Sequence, residues 1–173
     1  MKSVADIKSL LTSCLYLEDQ SVVVEDIQFY GSPWSPQFSK TAFQLERGKE
    51  MKRVWERIPD TTEFLITHSP PRGVRDRNIR GVKSGCEDLL KEVVTRVKPR
   101  YNMIKYVFMF NLLMIRYHVF GHIHEGYGAV TNRETIFVNA SALNRRKKKV
   151  NSPVVIKAAR KKQEIMAKSI NIT

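Results

Sequence analysis

His118-Val119-Phe120-Gly121-His122-Ile123-His124-Glu125-Gly126 is the stretch on which the reading of this chain turns. Its apolar start and its glycine read as a β-strand running into a loop, with imidazoles at the exit. A second stretch has the same form: Phe64-Leu65-Ile66-Thr67-His68-Ser69-Pro70-Pro71. All four histidines of the chain lie in these two segments. A strand end is rigid enough to hold a ligand and open enough to admit a substrate. Histidine is also the commonest metal ligand among side chains. Two such loops converging on one point predict a metal site at the carboxyl edge of a sheet. In an extended segment residues i and i+2 share a face, so His122 and His124 are expected to point the same way. Gly121 is expected to supply the tight turn.

Working outward, residues 4–15 carry apolar side chains at Ile7, Leu10, Leu11 and Leu15, a helical period. Residues 21–24 and 27–30 read as two short strands joined by Glu25-Asp26. Gly31-Ser32-Pro33-Trp34-Ser35-Pro36 reads as loop. Residues 46–58 read as a helix with Met51, Val54, Trp55 and Ile58 on one face. Residues 63–67 form a strand, and 68–83 a long basic loop. A helix is expected over 87–97, burying Leu89, Leu90, Val93, Val94 and Val97. A strand over 117–120 leads into the histidine loop. Residues 128–130 and 135–138 pair as a hairpin, 153–156 form a last strand, and 158–169 a basic terminal helix. Strands alternating with helices predict an α/β layered domain.

One segment stands apart. Arg100-Tyr101 recurs as Arg116-Tyr117, and the residues between are rich in Met, Phe, Leu and Ile, without a polar face. Removing one Arg-Tyr unit with this stretch leaves a helix-to-strand connection of ordinary length. Residues 102–117 are therefore expected to be a non-native insertion of the kind that translated intron sequence produces. Its longest apolar run, residues 106–115, falls short of the about 20 residues a membrane-spanning helix needs.

The chain has 173 residues, enough for one domain with a real core. Its 30 Lys and Arg exceed its 17 Asp and Glu, giving a formal net charge of +13. Much of that excess lies in Arg145-Arg146-Lys147-Lys148-Lys149 and Arg160-Lys161-Lys162. Such clusters form either a solvated tail or a patch for phosphate, nucleic acid or anionic lipid. No alternation of aromatic and basic residues accompanies them. Cys14 and Cys86 have no CxxC spacing, and residues 1–13 lack the apolar stretch of a secretory signal. These features lead us to expect free thiols and an intracellular, cytoplasmic protein.

Several motifs, taken together, are similar to those of the calcineurin-like metallophosphoesterase superfamily, and most closely to the animal metallophosphoesterase-domain-containing proteins. They are Tyr30-Gly31-Ser32-Pro33-Trp34-Ser35-Pro36-Gln37-Phe38, Arg47-Gly48, Ile66-Thr67-His68-Ser69-Pro70-Pro71, Gly85-Cys86, Arg96-Val97-Lys98-Pro99, the histidine stretch continued through Tyr127-Gly128, and Val138-Asn139-Ala140-Ser141. Their order and spacing agree with the family except at the apolar stretch before His118. The resemblance implies a layered β-sandwich flanked by helices, here lacking its amino-terminal half. On that basis residues 1–156 form a partial metallophosphoesterase domain, and 157–173 a basic tail or helix.

The resemblance also implies chemistry. Members hydrolyse phosphoesters with two divalent metal ions, of Mn, Fe or Zn, held by five motifs. Two of those motifs map onto His68 and onto His122 and His124, with His68 and His122 on the second metal and His124 on the first. The other three, an Asp-x-His, a Gly-Asp and a Gly-Asn-His, occur nowhere in this chain. The family's bridging Asp, its Asn and its general-acid His thus have no counterpart, and no catalytic residue is identified. The function expected is metal-dependent phosphoester hydrolysis, of phosphodiesters or nucleotides, inactive or incomplete in this chain. The competing expectation is a non-catalytic basic module holding nucleic acid or another anionic partner through its tail. Trp34 is a candidate for stacking on a nucleobase, or else a lid packed on the core. Arg72 and Arg75 are candidates for a phosphate clamp, or else solvated cations of a basic loop. His118 is expected to be a packed, hydrogen-bonded core residue. Asn139 and Ser141 are expected only to terminate a strand.

Overall fold

The computed structural model describes residues 8–97, 115–144 and 150–157. Within these, β1 (Gln20–Val24) and β2 (Ile27–Ser32) form an antiparallel hairpin. Then come β3 (Ser35–Pro36), β4 (Gln44–Leu45), α1 (Lys49–Trp55), β5 (Phe64–Thr67) and α2 (Glu87–Val97). The histidine stretch supplies β6 (Tyr117–Phe120) and a 3-10 turn (His124–Gly126), followed by β7 (Gly128–Thr131) and β8 (Ile136–Asn139). Six strands make one sheet in the order β1-β2-β5-β6-β8-β7, and β3 pairs with β4 separately. The four central strands β2, β5, β6 and β8 run parallel, while the outer two are antiparallel to their neighbours. The class is α/β.

The register decides what each face does. Leu65, His118 and Phe137 stand side by side on the inner face and are all buried. They meet Met51, Val54 and Trp55 of α1 and Leu89 and Val93 of α2, which close one core with Tyr30, Ile58, Cys86, Ile115 and Phe120. The Trp55 indole N–H donates to the Cys86 sulfur at 3.3 Å, tying α1 to the start of α2. The outer face is apolar too. Phe29, Phe64 and Tyr117 form a continuous aromatic row, with ring centroids 4.8 and 4.4 Å apart. Beside them Ile66 and Ile136 keep 41% and 40% of their surface exposed. Parallel strands that are apolar on both faces ordinarily lie between two covering layers.

Several expectations change in detail. The helix expected over 46–58 begins only at Lys49, because Gly48 has φ +87°. Its end tightens into i→i+3 bonds from Arg57 and Ile58, so Ile58 is still buried. The helical period of residues 4–15 is not realised beyond Ser9: Leu11 closes a turn on Lys8, and Leu10, Leu11 and Leu15 are exposed. Residues 4–7 lie outside the described residues; beyond Ser9 no surface covers the three leucines, and a short helix without packing is marginal. Gly31 to Pro36 is not all loop, since Gly31 and Ser32 extend β2 and Ser35–Pro36 pairs with β4. Residues 153–156 form no strand.

The helix expected over 158–169, the basic cluster 145–149 and most of the suspected insertion lie outside the described residues. The described residues at its end, 115–117, join the fold. Ile115 is buried, its carbonyl accepts the Thr135 hydroxyl, and Tyr117 opens β6. Among the described residues no helix is long and apolar enough to cross a membrane.

Candidate functional site

The carboxyl ends of β2, β5, β6 and β8 all reach one edge of the sheet, the edge at which open parallel sheets place their ligands. Hydrogen bonds continue past the strands and fix the loops that follow. His68 N–H donates to Ser32 O at 3.2 Å, Gly121 N–H to His68 O at 3.2 Å, and Ala140 N–H to Phe120 O at 2.7 Å. A buried side-chain relay supports the same corner. The Thr67 hydroxyl donates to Ser69 O at 2.7 Å, so it accepts from His118 Nε2, 2.9 Å away. This fixes the His118 tautomer as Nε2–H. Its Nδ1 is buried without a partner, and burial lowers its pKa to about 3. His118 is a core residue, as its place in the strand implied.

His68 and His122 meet. His68 Nε2 and His122 Nδ1 are 3.0 Å apart, with the rings edge to face at 4.8 Å. The backbone that brings them together differs from the extended segment expected. His122 has φ 65°, and Ile123 N–H bonds back to Gly121 O at 2.7 Å. This is a γ-turn of the rare positive-φ kind, centred on the histidine and not on the glycine. Gly121 needs no unusual φ, and a Cβ there would sit at ordinary contact distance from Ser141. The turn sends His122 toward His68, while His124 enters the 3-10 turn with Nδ1 3.2 Å from Asn144 O. A carbonyl only accepts, so His124 Nδ1 carries the proton and Nε2 keeps its lone pair.

Electrostatics favour neutral rings. Burial lowers the pKa of His68, although its edge reaches solvent. Burial, then the nearby His68 and His124, lower that of His122 to about 4. Neutral imidazole is the form that ligates metal.

Two supports escaped the sequence reading. Asn139 is fully buried and does more than end β8. Its side-chain amide donates to Ile123 O at 2.9 Å and to Arg75 O at 3.3 Å, pinning the loop between His122 and His124. Gly126 lies so close to the Arg75 carbonyl that a Cβ would collide with it. An Asn after an apolar strand is the one signal that was available. The second support is Phe38, whose ring lies 4.8 Å from that of His122. With Pro36, Arg47 and Lys83 it lines a cleft of about 500 Å³ that His122, Ile123, His124 and Glu125 also line.

The other candidates lie elsewhere. The Trp34 indole N–H donates to Asp19 at 2.9 Å and its ring packs on Phe43 and the core, the lid arrangement. Arg72 pairs with Glu87 at 3.0 Å. Arg75 donates to the carbonyls of Tyr127 and Ala129, at 3.2 and 2.7 Å. Neither arginine is among the residues that line the histidine cleft.

A two-ion centre does not fit the residues present. Among the described residues no group of three or more His, Cys, Asp or Glu is gathered to hold an ion. His68 and His122 give two neutral donors, and among the described residues no carboxylate is gathered with that pair to offset an ion's charge.

No family model matches the chain. It is 41% identical over 152 residues to metallophosphoesterase domain-containing protein 1 of Homo sapiens, covering 87% of this chain and 42% of that protein. The Mus musculus protein of the same name gives the same values. A UPF0046 protein of Caenorhabditis elegans is 38% identical over 148 residues, covering 86% of this chain and 33% of that one. The chain thus spans less than half the length of these relatives. Identity of 41% over 87% of its length places the chain in the family of the animal metallophosphoesterase domain-containing proteins.

Proposed function

We propose that this chain carries the carboxyl-terminal ligand set, His68, His122 and His124, of a metal-dependent phosphodiesterase, and that it is inactive alone. One observation carries this reading: two neutral imidazoles from separate strand-end loops in contact at the carboxyl edge of a parallel sheet, with a third at the next bend. The donors that would complete a two-ion site, of Mn, Fe or Zn, are carboxylates and an amide. The three motifs that would bring them are absent from the sequence. The apolar outer face supports the same reading, since the second sheet of a sandwich would cover it.

The test is complementation. The chain alone, with Mn²⁺, is expected to give no metal-stimulated hydrolysis of bis(p-nitrophenyl) phosphate. Joined to the amino-terminal part of a longer relative, and with residues 102–117 removed, it is expected to turn over. There His68→Ala or His124→Ala lowers the rate by orders of magnitude, and Lys147→Ala barely changes it. Robust EDTA-sensitive activity from the chain alone that survives His122→Ala overturns the proposal.

A further inference from the structure

The cleft beside the histidines has a composition that the ligand set does not explain. Phe38 keeps 65% of its surface exposed, yet its ring is held 4.8 Å from His122 with the planes at 58°. Its backbone N–H is bonded to the Gln44 side chain at 3.2 Å, so the rim that carries it is fixed. An exposed aromatic ring at the mouth of a cleft is a stacking surface without an occupant. Arg47 donates to Gly85 O at 2.8 Å and to Ser84 O at 3.0 Å, which holds its cation in place and leaves its other N–H groups over. Lys83 stands in the same lining. Glu125 is the carboxylate of that lining and sits in the 3-10 turn beside His124, so two cations face one anion.

We propose that Phe38 is the specificity-determining residue of this cleft and that it favours phosphoesters whose esterifying alcohol or phenol carries an aromatic ring. The ring lies on Phe38, and the phosphoryl charge lies toward Arg47 and Lys83. The proposal deepens the phosphodiesterase reading and rests on it for the phosphoester class, but its test needs neither metal nor turnover. Phenyl phosphate and inorganic phosphate are titrated separately into the full chain in the presence of EDTA, with binding followed by NMR at the His122 and Phe38 resonances. Phenyl phosphate is expected to bind at least about fivefold more tightly than inorganic phosphate, the lower end of what one aromatic stack contributes. Phe38→Ala should erase that preference and leave inorganic phosphate unchanged. Phe38→Trp should restore it. Lys83→Met should weaken both ligands together. Equal affinity for the two ligands, no binding of either, or a preference that survives Phe38→Ala overturns the proposal. Failed complementation alongside a Phe38-dependent preference would instead refute the metal reading and leave the cleft's selectivity standing.

Discussion

His122 holds a positive φ that side-chain-bearing residues rarely adopt, and it does so where the two imidazoles meet. Such strain persists only when neighbours over-determine it. Here the clamps are Asn139 on the Ile123 carbonyl and the Gly121 N–H on His68 O. Asn139→Ala should therefore release the loop. NMR should show the His68 and His122 rings losing their mutual contact, whereas an unchanged contact would show that the turn holds itself. His118 gives a second prediction, with a sign. Its pKa is about 3 in the fold against an ordinary value of 6.5, so the unfolded chain takes up a proton first. This group leaves stability unaffected above pH 6.5. Between 6.5 and 3 it removes up to about 1.4 kcal/mol per pH unit. His118→Gln keeps an N–H for Thr67 but cannot titrate. Urea unfolding from pH 7 to 4 should show a shallower decline for it than for the parent, and equal slopes would contradict the assignment.

At the scale of elements, the long loop between β5 and α2 is ordered by one buried carboxylate. Asp76 Oδ2 accepts from Gly73 N–H at 2.9 Å and Gly85 N–H at 3.0 Å, while its carbonyl takes Ser84 N–H at 3.0 Å. The loop thereby folds back, and Pro71 bridges to Cys86. Gly85 is required at that crossing, because a Cβ would strike the Pro71 carbonyl 2.6 Å away. Asp76→Ala leaves two amides without their acceptor and should cost about 1–3 kcal/mol in chemical denaturation. The loop amides should lose hydrogen-exchange protection before the β5 and β6 amides do. Uniform loss across the sheet would mean that the loop and sheet open as one unit.

For the whole molecule, the suspected insertion between α2 and β6 poses the sharpest question. Deleting residues 102–117 leaves Arg100-Tyr101 directly before His118, so an Arg-Tyr pair again precedes the strand. The second copy is in use: Tyr117 stacks on Phe64 and Arg116 reaches Glu63 at 3.6 Å. In the shortened chain Pro99 takes the place of Ile115 and still offers Thr135 a carbonyl, although the buried Ile115 side chain is lost. Soluble yield is expected to rise with β6 in its present register, as read from cross-strand contacts between residues 64–66 and 118–119. Loss of folding on deletion would show that the segment is an integral part of the domain.

The sequence by itself determined the α/β alternation, α2 to the residue, the β1–β2 hairpin, the strands that carry His68 and His122, and the family. Each rests on a local signal: a period of two or 3.6, a turn dipeptide, or the spacing of motifs. Tertiary structure alone decided where the polar groups went. Trp34, Arg72 and Arg75, candidate ligand contacts by sequence, are held by Asp19, by Glu87 and by the carbonyls of Tyr127 and Ala129. Leu10, Leu11 and Leu15 continued a helical period until no surface met them, and Gly121 was the natural turn residue until the γ-turn fell on His122. Periodicity reports which face an element buries. The partner of a guanidinium or an imidazole is set by atoms distant in sequence, and only the assembled sheet brings those within 3 Å.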